Sequence, residues 1–165
     1  MSKLIVICGL GGTGKTTTAQ ALSQKLNMVC ICKDSLKEAL CDELAIQTED
    51  SYKLYHRLVE EQVANGVDVM MESTFAFERD TEMLEVWLEA YELDLTCIVC
   101  QAEDDVRRKR MAMRARHVCH EDADKEAVEA VGKMFDYSAL PGRLIYIATD
   151  RPTSEVVTEI CRRLG

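Results

Sequence analysis

A lysine and a threonine closing a glycine-rich run are the residues whose types and spacing most plainly suggest chemistry. Gly9-Leu10-Gly11-Gly12-Thr13-Gly14-Lys15-Thr16 matches the pattern G-x-x-x-x-G-K-[ST] at every fixed position. Its four glycines (Gly9, Gly11, Gly12, Gly14) let several backbone N–H groups turn inward, where side chains would obstruct them. Those donors, together with the N-terminus of a following helix, form a cradle for phosphate oxygens. Lys15 is then expected to set its ammonium against the β- and γ-phosphates of a triphosphate, and Thr16 to offer its hydroxyl to Mg²⁺. A glycine turn that binds nothing is the competing reading, and the flanking residues speak against it.

Two carboxylates and a cluster of arginines are the next candidates. Asp34 can accept the proton of a hydroxyl attacking the γ-phosphate, or help hold hydrated magnesium. Helix capping is the bland alternative for it, but Ser35-x-x-Glu38 already reads as a capping box and leaves Asp34 freer. Glu72 ends an apolar run and suits a carboxylate that meets magnesium through water, with Ser73 and Thr74 as hydrogen-bonding neighbours. Arg107, Arg110 and Arg114 are spaced i, i+3, i+7, which on a helix puts three guanidiniums on one face. Such a face suits a lid over triphosphate oxygens, since the guanidinium fork matches phosphate geometry. A nucleic-acid contact surface and a merely solvated helix are its rivals, because Arg108, Lys109 and Arg116 add to the local positive charge.

The elements that must position these residues follow from apolar periodicity. Lys3–Cys8 is a continuous apolar run typical of a buried parallel strand, and the residues from Thr17 to Leu26 carry Ala19, Leu22 and Leu26 on one helical stripe. Met28–Cys32 predicts a second buried strand, followed by a helix with Leu36, Ala39, Leu40 and Leu44 inward. A helix over Tyr52–Ala64 has Leu54, Leu58 and Val59 inward and stops at Asn65-Gly66. Val67–Glu72 is the third strand, Ser73–Phe77 a loop, and Asp80–Tyr91 a helix packing through Met83, Leu84, Trp87 and Leu88. Leu93–Cys100 is the fourth strand, and helices are expected over Glu103–His117 and Glu121–Tyr137. After the Pro141-Gly142 turn come a fifth strand, Leu144–Ala148, and a closing helix, Thr153–Leu164, with Val156, Val157, Ile160 and Leu164 inward. Strands alternating with helices predict an α/β fold with a parallel sheet covered on both faces. Ligands of such sheets bind beyond the carboxyl ends of the strands, where the glycine loop, Asp34 and Glu72 all fall.

Composition bounds the function. The 165 residues suit one domain over residues 1–165, and 47% hydrophobic with 30% charged residues is an ordinary globular balance. A net charge of -9 argues against a general polyanion binder. No apolar run approaches the ~18 residues of a membrane span, and the N-terminus is too short in apolar residues for a signal peptide. The eight cysteines resemble a disulfide set by count only. Cys8, Cys30, Cys32, Cys97 and Cys100 lie in strand-like runs, where free Cys is a small hydrophobe, so reduced thiols in a cytoplasmic protein are expected. Cys97-x-x-Cys100 has metal or redox spacing, but on a strand the two side chains face opposite ways. His117, Cys119 and His120 are metal-ligand types without a second pair at suitable spacing.

Taken together, Gly9 to Thr16, Asp34 three residues before Lys37, Val69 to Phe75, the Arg110-x-x-x-Arg114 pair and Ile145 to Asp150 resemble the P-loop small-molecule kinases of the AAA-family ATPase-like group. That group includes polynucleotide kinase, chloramphenicol phosphotransferase and the zeta toxins. The resemblance implies a three-layer P-loop fold of the nucleoside-monophosphate-kinase kind, with a five-stranded parallel sheet of order 2-3-1-4-5 and a lid over about residues 103–122. It implies Lys15, Asp34, Arg110 and Arg114 as catalytic residues, with Asp34 as base and Arg114 on the γ-phosphate. ATP would be held by Gly11, Gly12, Thr13, Gly14, Lys15, Thr16, Thr17, Arg110, Thr149 and Arg151, the stretch Thr149–Pro152 lining the adenine. Thr16, Asp34 and Glu72 would surround Mg²⁺, and Asp34, Lys37, Arg57, Glu72, Thr74, Phe75 and Arg79 would meet the acceptor. Lys37 stands where several relatives carry Arg, and Glu72 where many carry Asp.

The sequence-level reading is therefore an ATP- and Mg²⁺-dependent phosphotransferase acting on a hydroxyl of a nucleoside, a sugar or an antibiotic-like molecule. A GTPase switch is set aside because neither N-K-x-D nor D-x-x-G occurs. A 5′-hydroxyl nucleic-acid kinase would want a basic channel, whereas Glu38, Asp42, Glu43, Glu49 and Asp50 make the region after the second strand acidic. A non-catalytic ATP-binding regulator is the remaining alternative.

Overall fold

The computed structural model describes residues 1–46, 51–115, 117–120, 130 and 132–165. Arg116, Glu49, Asp50 and most of the helix expected over Glu121–Tyr137 lie outside them. The elements are β1 (Ser2–Cys8), α1 (Lys15–Leu26), β2 (Cys30–Cys32), α2 (Lys33–Leu44), α3 (Ser51–Ala64), β3 (Val69–Glu72), α4 (Glu78–Ala90), β4 (Leu93–Gln101), α5 (Asp104–Met113), β5 (Arg143–Ala148) and α6 (Thr153–Leu164). Short 3₁₀ turns occupy Val118–His120 and Tyr137–Ala139, so the chain is already out of the expected helix at Tyr137.

All four strand pairings are parallel, and the sheet order is β2-β3-β1-β4-β5, as expected. β1 is central and alternates between two apolar layers. Leu4, Val6 and Cys8 pack with Tyr55, Val59, Leu84 and Trp87 of α3 and α4. Ile5 and Ile7 pack with Ala19, Leu22, Val156 and Ile160 of α1 and α6 on the other face. Burial on both faces explains why the strands read as unbroken apolar runs. Cys97 and Cys100 fall into opposite layers, and all eight cysteines are free. Among the described residues no helix is long and apolar enough to cross a membrane.

Several local expectations are corrected. β2 is three residues of half-buried edge strand rather than a buried five-residue one. It runs directly into α2, whose N-cap is the extended Cys32, so Ser35 sits inside the first turn and makes no capping box. Asp34 is likewise inside that first turn, where the helix dipole favours a carboxylate. α2 has no fully buried residue, and Ala39 and Leu44 of its expected inner stripe are exposed. On α3 the buried residues are Ser51, Tyr55, Val59 and Val63, while Leu54 is exposed. α5 stops at Met113 and Arg114 is its extended C-cap, so Arg107, Arg110 and Arg114 do not share one helical face.

Registry decides what meets at the upper rim of the sheet. Ile7 of β1 and Cys32 of β2 both pair with Glu72 of β3. The residues following these three strands therefore leave the sheet at one level: the glycine loop, Lys33-Asp34 and Ser73-Thr74.

Candidate active site

The loop between β1 and α1 is held by backbone geometry and by braces from α5 and the end of β5. Gly12 has φ +76°, and a Cβ there would lie 2.6 Å from the Arg107 carbonyl oxygen, so only glycine fits. Gly14 caps α1 at φ 79°, a left-handed conformation that turns the chain into the helix. Thr13 is buried, with its hydroxyl donating to the Leu10 carbonyl at 2.8 Å. It is thus an internal brace, and, like Gly9, it does not line the cavity. Lys15 Nζ donates to the Leu10 carbonyl at 3.1 Å, a contact that folds the ammonium back over the loop.

Arg107 departs from its expected place on a lid face. It is buried, its Nε donating to the Gly11 carbonyl at 2.9 Å and its Nη1 to Asp104 Oδ1 at 2.8 Å. It bolts α5 to the loop. Arg110 lies one turn on, with Nη2 on the Thr149 carbonyl at 2.7 Å and Nη1 3.3 Å from the Gly12 carbonyl. The Thr149 hydroxyl in turn lies between the carbonyls of Thr13 and Gln101, so the end of β5 is tied to the same loop. Arg151 pairs with Glu159 and reaches the Ala148 carbonyl.

Above this floor lies a cavity of about 870 Å³. Its donor side is lined by Gly11, Gly12, Gly14, Lys15, Thr16, Thr17, Arg110, Arg114, Thr149 and Arg151. Its other side is lined by Asp34, Lys37, Glu72, Thr74, Phe75 and Arg79. Arg57 is the exception among the expected acceptor contacts: it is exposed on α3 and pairs with Glu61 at 3.0 Å, one helical turn away on the outer surface. Phe75 touches the cavity from the core, buried and held at φ 49°, an uncommon strained conformation for a residue with a side chain.

Glu72 is the electrostatic centre of the rim. It is buried, and Thr16 Oγ1 lies 3.4 Å from its Oε2. Burial pushes its carboxyl above the usual range, the neighbouring Asp34 charge adds to that, and Lys15 with hydrogen bonds from Cys32 and Thr16 opposes it. A hydroxyl and two carboxylates beside a lysine form a hard-oxygen set suited to Mg²⁺, which would also relieve the crowding of Glu72 and Asp34.

Several residues of the acceptor side escape sequence reasoning. The Tyr52 hydroxyl donates to Asp80 Oδ1, and Asp80 Oδ2 also accepts from the Phe77 N–H at 3.2 Å. The Arg79 guanidinium stands 4.3 Å from the Tyr52 ring centroid and 4.8 Å from that of Phe77, a cation–π clamp that fixes its direction. His56 packs against Tyr52 with centroids 3.8 Å apart, and burial, helped by Arg79 and Lys33, pulls its pKa down to about 4, which keeps it neutral. Only the adjacency of Phe77, Arg79 and Asp80 is visible in the sequence; their meeting with Tyr52 is a product of packing α3 against α4.

Comparison with known proteins agrees with this architecture. A family model described as an AAA domain matches residues 4–137, most of the chain. No curated protein matches the sequence. Among solved structures, a provisionally assigned kinase from Chloroflexus aurantiacus is 26% identical with a TM-score of 0.77, covering 99% of both chains. A gluconokinase from Sinorhizobium meliloti is 17% identical at TM-score 0.65, covering 99% of this chain and 93% of its own. The Mycobacterium tuberculosis APS kinase CysC, in complex with AMPPNP and APS, is 16% identical at TM-score 0.61, covering 99% and 97%. The last two likenesses are of fold alone. With its phosphate loop, its 2-3-1-4-5 sheet and a family match over most of its length, the chain belongs to the AAA-domain family of P-loop proteins and has the fold of the P-loop small-molecule kinases.

Proposed function

We propose that this protein transfers the γ-phosphate of ATP to a hydroxyl group of a small molecule, with Mg²⁺ as cofactor. One observation carries the reading: a single cavity is lined on one side by the phosphate loop and on the other by Asp34 and Glu72. A loop that only bound a triphosphate would not need a carboxylate-bearing chamber beside it. The names of the structural neighbours, a gluconokinase and an APS kinase, support the same class.

In this reading the loop amides and Lys15 hold the β- and γ-phosphates, while Arg110 and Arg114 close on the γ-phosphate from α5 and its C-cap. Thr16 would hold Mg²⁺ directly and Asp34 and Glu72 through its water; the ion would neutralise charge on the transferring group. Asp34 takes the proton from the acceptor hydroxyl as that oxygen bonds to the γ-phosphorus and the bond to ADP breaks. Thr149 and Arg151 flank the adenine end. Lys37, Thr74, Phe75 and Arg79 position the acceptor; of the expected lid, α5 is fixed to the loop by Arg107, so the covering role falls to Arg114 and the residues just after α5. The cavity's size suits a nucleotide with a compact acceptor.

The test is a transfer screen with γ-labelled ATP against nucleosides, sugars, antibiotics and oligonucleotide 5′ ends. Label should pass to a small hydroxylated acceptor, and Lys15→Ala should weaken triphosphate binding. Label passing to oligonucleotide ends alone would replace the small-molecule reading with a nucleic-acid one.

A further inference from the structure

The distal half of α2 and the turn after α5 bring a second set of ligating side chains together, away from the phosphate loop. His117 Nε2 lies 2.9 Å from Asp42 Oδ1. One ligand atom each of Cys41, Asp42 and His117 lie within 4.8 Å of one another. Asp42 is exposed and the other two are half-buried, so the cluster opens to solvent on one side. In sequence His117 lacks a second ligand pair; α2 supplies one from 75 residues away.

A thiolate sulfur, an imidazole nitrogen and a carboxylate oxygen, with water in a fourth position, make a donor set for tetrahedral Zn²⁺. The far side of the imidazole is also provided for. His117 Nδ1 lies 3.1 Å from Cys119 Sγ and 3.3 Å from the Cys119 backbone N–H. Without metal, Nδ1 accepts from that N–H and Nε2–H donates to Asp42. With metal on Nε2, the ring proton moves to Nδ1 and Cys119 Sγ becomes its acceptor, the outer hydrogen bond that orients a metal-bound histidine.

We propose that Cys41, Asp42 and His117 form a zinc site, with Cys119 as the positioning residue behind the imidazole. Binding releases the thiol proton of Cys41 as the Zn–S bond forms, and no oxidant or reductant is required. The site lies where it can act on the cavity. α2 carries Asp34, Lys37 and Glu38 on the cavity wall, while Arg114, Ala115, His117 and His120 line it from the segment after α5. His120 Nε2 already meets Glu38 at 3.2 Å along the same seam. Bound zinc would therefore pin the segment after α5 onto α2 and restrain the mouth of the cavity. The site stands on its own donor atoms, and its test reads metal uptake whatever reaction the cavity performs.

The experiment uses the reduced, chelator-treated full-length protein titrated with Zn²⁺ against a chromophoric chelator and separately with Co²⁺. One equivalent of zinc should be taken up. Cobalt should show a thiolate charge-transfer band together with the strong visible absorption of a four-coordinate ion. Cys41→Ser and His117→Ala should each weaken uptake at least about ten-fold, and Cys41→Ser should abolish the charge-transfer band. Cys119→Ser keeps a hydrogen-bond acceptor and should weaken uptake less, while Cys161→Ser on α6 should change nothing. Thermal unfolding in chelator should be alike for wild type and Cys41→Ser, with zinc raising the midpoint of the wild type alone. Slower hydrogen exchange at residues 117–120 on adding zinc is the mark of the clamp. Failure to take up zinc, a charge-transfer band surviving in Cys41→Ser, or equal loss in Cys161→Ser would each overturn the site. Unchanged exchange would overturn the clamp.

Discussion

The two walls of the cavity are built differently. The donor wall rests on the centre of the molecule: the loop follows the central strand β1, and α1 buries Thr18, Ala19 and Leu22 beneath it. Arg107, Arg110 and Thr149 tie the loop to two further elements through its carbonyl oxygens. The acceptor wall rests in part on the edge, where Asp34 and Lys37 stand on α2, and in part on the buried end of β3, where Glu72 stands. β2 is three half-buried residues, and α2 has none fully buried. A triphosphate cradle must hold backbone amides in one arrangement, which needs an over-determined support. Side chains that need only point into a cavity can be carried by a helix laid on the sheet's rim, as α2 carries Asp34 and Lys37. The difference teaches that the phosphate loop is seated on the core from several sides, whereas the α2 part of the opposite wall is seated only on the sheet's rim.

Mutations can break that comparison. Leu22→Ala on α1 empties a fully buried position and should cost about 3 kcal/mol in urea unfolding, whereas Leu40→Ala on half-buried α2 should cost about 1 kcal/mol. Equal costs would mean that α2 is as firmly seated as α1. Arg107→Ala should lose about 2 kcal/mol, because removing the buried guanidinium takes the side-chain donor from the Gly11 carbonyl and breaks the bolt between α5 and the loop. Arg114→Ala, at an exposed C-cap, should leave stability unchanged and lower transfer alone. Kinetics and unfolding on the same two variants separate brace from clamp.

A smaller effect concerns Glu72. Its carboxyl is raised in the folded state, so the folded chain holds that proton more tightly than the unfolded one does. Stability from this group is full below the ordinary value of 4.5 and is lost as pH climbs through the raised one. Glu72→Gln should therefore be more stable than the wild type at neutral pH without ligand, flatten that fall, and weaken magnesium-dependent nucleotide binding. Thermal melts across pH check it.

How much of this was legible in the sequence follows the same division. The phosphate loop, the buried central strands and α6 are readable, because apolar runs and a glycine pattern report directly on buried strands and a tight turn; the sheet order comes from the resemblance to P-loop kinases. The rule that ligands of parallel sheets bind beyond the carboxyl ends of the strands places Asp34 and Glu72 at one rim, and strand registry puts them there. At the edge the sequence pattern misleads. Apolar residues at Met28 and Val29 suggest a longer strand than an edge position supports, and Ser35 offers a cap that the direct passage of β2 into α2 makes unnecessary. The arginine spacing was real, but periodicity cannot show that Arg107 finds a carbonyl to bury against, or that the helix ends before Arg114. Arg57 looked available and instead serves its own helix, paired with Glu61. The Tyr52–Asp80 contact and the Arg79 clamp join residues 28 apart and less, across two helices, and no local pattern encodes them.

The most direct measurement of the central claim compares wild type with Asp34→Asn in parallel, reading triphosphate affinity and phosphate transfer on the acceptor found by screening. If the two walls meet to make a transfer site, the variant binds triphosphate as the wild type does and its turnover falls by about 10²–10⁴-fold. Undiminished transfer by Asp34→Asn, or tight triphosphate binding by the wild type with no transfer to any acceptor, would contradict it.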